Sequence, residues 1–176
     1  EVKVGIFPGA GGTQRVARLA NTQDALQMMT TGQTLTAARA KAMNLVHQVV
    51  EPGELIKAAK QMIKDGLKPV APWDEKGFKV PGGGIWTPAA AQLWPAASAI
   101  LRRETAGNYP AALAILKSVY EGLQVPFDTG LRIEQRYFTE IVQTTEAYSM
   151  IRSLFVSMQE LNKGARRPAG QPKSEI

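Results

Sequence analysis

Glu1 stands about eight residues ahead of a Pro8-Gly9 turn, and Ala10-Gly11-Gly12-Thr13 carries that turn into a helical pattern. A carboxylate can take up and release protons. Glycines let a backbone come close to a ligand and adopt positive φ. The start of a helix presents N–H groups to an oxygen that carries negative charge. A carboxylate and a row of N–H groups can thus face one small volume. These types at this spacing suit proton transfer beside an activated carbonyl, with Glu1 as general acid/base. Nucleotide loops do not fit the same stretch. A Walker loop needs a lysine and a Ser/Thr after its last glycine, whereas Gly12 is followed by Thr13-Gln14. A dinucleotide fingerprint starting at Gly9 needs glycine at Gln14.

Other candidates carry less. His47 is the only histidine and there is no cysteine, so a protein-only zinc site and a catalytic thiol are not expected. No acid or nucleophile stands at a diagnostic spacing from His47, which reads as a structural or surface residue. Glu134 and Glu140 share a helical pattern with Arg132 and Arg136, and solvated ion pairs account for all four. Gly82-Gly83-Gly84 lacks the strand and the lysine of a phosphate loop, and reads as a flexible turn.

The elements that would position Glu1 follow from pattern and punctuation. An extended first segment leads to a helix from about Thr13 to Ala20, then one from Gln23 that stops at Gly32. Thr36 caps a short alanine-rich helix. Val46–Val50 reads as a short strand. Pro52 opens a helix whose Leu55, Ile56, Ala59, Met62 and Ile63 recur at helical spacing until Gly66. Residues 67–87 hold prolines, glycines, Trp73, Phe78 and Trp86, and form a long loop. The remainder is helical: one helix from Thr87-Pro88, one capped by Asn108, one capped by Asp128, and one from about Glu146 to Asn162 that ends at Gly164. The expected division is 1–66, a loop at 67–87, a helical segment at 88–163 and an exposed linker at 164–176.

Length and charge set the outer bounds. A chain of 176 residues with 44% hydrophobic content makes one compact domain. No apolar run reaches the roughly 20 residues of a membrane span. The net charge is +6 and the pI about 9.7. Basic residues are spread along the chain without a nucleic-acid motif, so no nucleic acid is expected as a partner. The same surface would attract an anionic, phosphate-bearing substrate.

The Glu1–Arg15 stretch resembles the second active-site segment of the enoyl-CoA hydratase (crotonase) family. The likeness continues through Thr31-Gly32, Ala38–Val50 and Leu55, with Asn44 where many relatives have glycine. The loop Trp73–Gly84, Arg102–Thr105, Asn108–Pro110, Ile115–Val125 and Phe155–Lys163 are similar to the multifunctional fatty-acid oxidation α-subunits of bacteria. The fold implied is a mainly α fragment of an α/β crotonase (ββα superhelix) fold. By that resemblance Glu1 matches the second of two catalytic glutamates. Gly9 matches the glycine whose N–H helps hold the catalytic water, and Pro8 and Gly9 would meet the substrate. The first glutamate and the oxyanion-hole donors would lie upstream. A 3-hydroxyacyl-CoA dehydrogenase domain using NAD would follow Ile176. The hydratase itself would need no cofactor beyond its acyl-CoA substrate. A homo-oligomer or a complex with a thiolase subunit, in the bacterial cytoplasm, completes the implied picture. Two readings stay open beside hydration: a Δ3,Δ2-enoyl-CoA isomerase or other crotonase-fold enzyme, and a non-catalytic helical interaction module.

Overall fold

The computed structural model of the protein describes residues 1–168 and 170. Its helices are α1 (Gly12–Leu19), α2 (Thr22–Thr31), α3 (Ala37–Ala42), α4 (Leu55–Lys64), α5 (Pro88–Thr105), α6 (Pro110–Gly122), α7 (Phe127–Val142), α8 (Thr145–Met150) and α9 (Met158–Asn162). A wider π-helical stretch, Ile151–Ser157, joins α8 to α9. Helix α6 is the centre, and α1, α2, α5 and α7 pack around it. Its inward positions include Ala111, Ala114, Ile115, Leu116, Ser118, Val119 and Gly122. Small residues there let neighbouring backbones approach closely. Ile115 and Val119 are fully buried, a state that stabilises by about 1.5–3 kcal/mol for each side chain. Phe7, Ala17, Leu26 and Met29 join the same core as Ile141. The core therefore draws on both ends of the chain.

Several starts and stops have the expected chemistry. Thr36 accepts from the Arg39 N–H at 3.2 Å, and Thr87 from the Ala90 N–H at 3.4 Å. Asn21 caps α2 by accepting from the Asp24 N–H at 2.9 Å. Asn44 sits at φ 58°, a left-handed conformation that asparagine tolerates better than most residues.

Other expectations fail for local reasons. Residues 2–4 form a 3-10 turn, not an extended segment. The Val4 N–H bonds the Glu1 carbonyl and the Gly5 N–H the Val2 carbonyl, so the backbone satisfies itself without a sheet partner. Val46–Val50 is no strand, and no strand occurs among the described residues. A short apolar strand needs a neighbouring strand to pair with, and here Val46 and Val49 stay exposed. Asn108 and Asp128 are not caps. Helix α6 starts after Tyr109, with Pro110 in its first turn, and α7 starts after Pro126 and places Asp128 inside its first turn. Proline's fixed φ decides both starts. The described part of the linker at 164–176 is exposed, and residues 169 and 171–176 lie outside the described residues.

Helix α4 forms as its period predicts, yet its stripe is bare. Leu55, Ile56 and Ile63 are 61%, 67% and 71% exposed, and its main neighbour is the Pro52–Glu54 turn that precedes it.

Candidate active site

Glu1 lies exposed at the head of the 3-10 turn, and Pro8 and Gly9 are half-buried. Gly5, at φ 83°, reverses the chain between them, with its Cα against Ala147 and Met150 of α8. Phe7 then plunges into the core and meets Phe138 of α7 edge-on at 5.5 Å. Glu1 and Gly9 are thus the two ends of a short segment anchored in its middle. His47 and Glu140 are exposed and lie outside this segment.

The turn after Gly9 is held by a residue that the sequence pattern assigns to the surface. Glu134 is fully buried. Its Oε1 accepts from the Gly11 N–H at 2.5 Å, and its Oε2 accepts from the Thr13 N–H at 2.9 Å and from the Thr13 hydroxyl. Two of the N–H groups expected to face a ligand are therefore occupied by this carboxylate. Arg136 does make an ion pair, at 2.7 Å, but with Glu121 of α6 and not with an acid of its own helix, and the solvated reading fails for Glu134. A signal was present in the sequence. Gly130, Glu134, Phe138 and Ile141 recur at steps of four, four and three, so Glu134 stands on the inward face of an amphipathic helix.

Charge compensation runs through a chain of side chains. Gln14 is fully buried and donates to Thr13 Oγ1 at 3.1 Å and to the Ser118 carbonyl at 2.9 Å. Arg18 donates to Gln14 Oε1 at 2.9 Å and to the Gly122 carbonyl at 2.7 Å. Burial pushes the Arg18 guanidinium below the usual arginine range. The positive end of this chain and the carboxylate at its other end are linked by polar groups rather than by a direct ion pair, which keeps each buried group satisfied. A Cβ on Gly122 would fall 2.0 Å from Gln14 Oε1 and one on Gly130 2.6 Å from it, so both glycines make room for the chain.

The long loop is pinned beside this network. Trp73 stacks on Phe127 at 4.7 Å, and the Arg15 and Arg18 guanidinium groups each lie 5.5 Å from the centre of that ring. Gly82–Gly84 do not fit a dinucleotide. No strand leads into them, and a Cβ on Gly83 would meet Thr87 Oγ1 at 2.8 Å, so the loop is folded onto the cap of α5.

Residues 1–70, which hold the Glu1 carboxylate, the Pro8-Gly9 turn and the start of α1, match the enoyl-CoA hydratase/isomerase family. The helical body is the mainly α part of that fold. Along 93% of its length the chain is similar to fatty acid oxidation complex subunit alpha, with 34% identity over 164 residues to the protein of Vibrio parahaemolyticus. The Vibrio cholerae and Shewanella halifaxensis proteins of that name are 35% and 34% identical over 168 and 165 residues, again over 93% of this chain. The chain spans 23% of the length of each of these curated relatives.

Proposed function

We propose that this chain is the part of a fatty-acid β-oxidation enzyme that supplies one of two glutamates for hydrating trans-2-enoyl-CoA to 3-hydroxyacyl-CoA. The observation that carries the reading is the path from Glu1 through buried Phe7 to the Pro8-Gly9 turn, in a segment of enoyl-CoA hydratase/isomerase family sequence. Glu1 and an upstream glutamate position a water, which Gly9 N–H also holds. The hydroxide adds at the β-carbon and a proton goes to the α-carbon. Upstream backbone N–H groups stabilise the thioester enolate in between.

A 3-hydroxyacyl-CoA dehydrogenase domain beyond this chain would use NAD. Acyl-CoA is the substrate, and its phosphates suit a chain of net charge +6. A thiolase subunit or further copies of the protein are the expected partners, in the bacterial cytoplasm. The isomerase reading shares the family and needs one glutamate rather than two.

The test uses the complete polypeptide that contains this chain. Glu1→Gln should remove most crotonyl-CoA hydration and spare dehydrogenase turnover. The 176-residue chain alone should not hydrate crotonyl-CoA if, as proposed, the oxyanion donors come from elsewhere in the polypeptide, since each typically contributes about 10²–10³ in rate. Hydration unchanged by Glu1→Gln would overturn the reading. A loss confined to Δ3-to-Δ2 isomerisation would favour the isomerase.

A further inference from the structure

Helix α7 touches the candidate turn at two points one helical turn apart. Phe138 lies against the Cα of Gly9, and Glu134 takes the N–H groups of Gly11 and Thr13. The carboxylate thereby orients the peptide planes that end at Gly11 and at Thr13. The residue between Gly9 and the first of these planes is Ala10 alone. Gly11 itself sits at φ 88°, a conformation that non-glycine residues rarely adopt, so the turn has few other ways to close.

A fully buried carboxylate in this place is costly unless it is bonded throughout. Glu134 meets that cost with two N–H groups at the start of α1 and the Thr13 hydroxyl. The Thr13 oxygen in turn lies 3.1 Å from the Gln14 amide nitrogen and 3.0 Å from Ser118 Oγ. Hydrogen bonds to a charged acceptor are the stronger kind. A plain helix cap on the surface needs none of this, since water can fill that role.

We infer that Glu134 is a positioning residue of the hydratase site: from α7, far along the chain, it fixes the turn so that Gly9 N–H points at the catalytic water. This rests on the function proposed above. Glu134 touches neither substrate nor water. It acts on the reaction only through the orientation of the turn.

Glu134→Gln keeps the shape and replaces one acceptor oxygen by an NH2 that faces an N–H. In the complete polypeptide, the variant should lower hydratase kcat by roughly 10–100-fold, less than the about 10²–10³ typical of losing an aligned donor outright, because the Gly9 N–H is displaced and not removed. KM for crotonyl-CoA should stay within about threefold, because substrate contacts are kept, and dehydrogenase turnover should not change. Thr13→Val removes one of the three bonds and should give a smaller fall in kcat, which Thr13→Ser restores. The threonine pair keeps the test open should Glu134→Gln fail to fold. A folded Glu134→Gln or Thr13→Val protein with kcat within twofold of the parent overturns the inference. So does a joint loss of kcat, KM and dehydrogenase turnover, which marks general destabilisation.

A second readout does not depend on the reaction. In the 176-residue chain, amide hydrogen exchange at Gly9–Thr13 should speed up at least tenfold in Glu134→Gln, while α6 amides keep their protection. Unchanged exchange at the turn overturns the positioning role. Faster exchange beside hydration that ignores Glu1→Gln overturns the hydratase reading alone.

Discussion

Gly9 lies against Phe138 so closely that a Cβ on the glycine would fall 2.2 Å from ring atom Cδ2. The ring also pairs edge-on with fully buried Phe7 at 5.5 Å, which limits how far it can step aside. The glycine is thus required by packing as well as by any approach of a substrate. Gly9→Ala should destabilise the chain by about 1–3 kcal/mol, the usual range for overpacking. Phe138→Leu should cost stability alone yet recover part of the loss in the Gly9→Ala background. Thermal melts of the four proteins in a double-mutant cycle check this, and simple additivity would remove the contact from the explanation.

The pH dependence of stability should carry the mark of Tyr137. Its hydroxyl donates to Glu121, and that bond, helped by Arg136, holds the Glu121 carboxyl below the usual carboxylate range. Folding therefore favours ionised Glu121. The stabilisation is present above the unfolded value of about 4 and is lost as pH falls through the lower folded value. Tyr137→Phe should shrink the fall in melting temperature between pH 7 and pH 3. Glu121 is 37% exposed, so solvent screens the effect. It should not exceed about 4 °C for a chain of this size. An identical acid-side fall in both proteins would show that the bond contributes nothing.

Trp73 should govern how firmly the long loop is held. Its stack on Phe127 ties the first half of the loop to α7, while buried Ile85 and the Gly83 contact with Thr87 hold the second half. Trp73→Ala should increase tryptic cleavage after Lys76 and Lys79, with little change in the main unfolding transition. A cleavage pattern equal to that of the parent would mean that other contacts hold the loop.

The bare stripe on α4 should make the isolated chain self-associate. Exposed Leu55, Ile56 and Ile63 lie on one helix with few neighbours, and contiguous apolar surface of this kind seeks cover. Sedimentation of the chain should show average mass rising with concentration, and Ile56→Glu with Ile63→Glu should suppress the rise. A monomer at every concentration would refute this.

What could be read from the sequence was local, and what could not was a matter of partners. Thr36 and Thr87 announce their helices because a cap bonds an N–H three residues away. Gly32, Gly66 and Gly164 end helical runs at positive φ for the same short-range reason. The period of α4 predicts a helix but not what would cover it. Val46–Val50 has the valines of a strand, and pairing depends on a neighbour that no local pattern names. Glu1, Pro8 and Gly9 stand close enough in sequence to read as a motif, whereas the charge spacing of Glu134 alone reads as a solvated surface acid. Its donors lie 121 and 123 positions away, a distance at which charge spacing along one helix says nothing.

That same distance sets an order of events during synthesis. Thr13 leaves the ribosome 121 residues before Glu134. At about 5–20 residues per second this is a wait of roughly 6–24 s. Through that interval the start of α1 has only water for its N–H groups. The carboxylate that holds the turn arrives only with α7. A chain cut before α7 would keep the whole of residues 1–70 and still lack the hand that sets them.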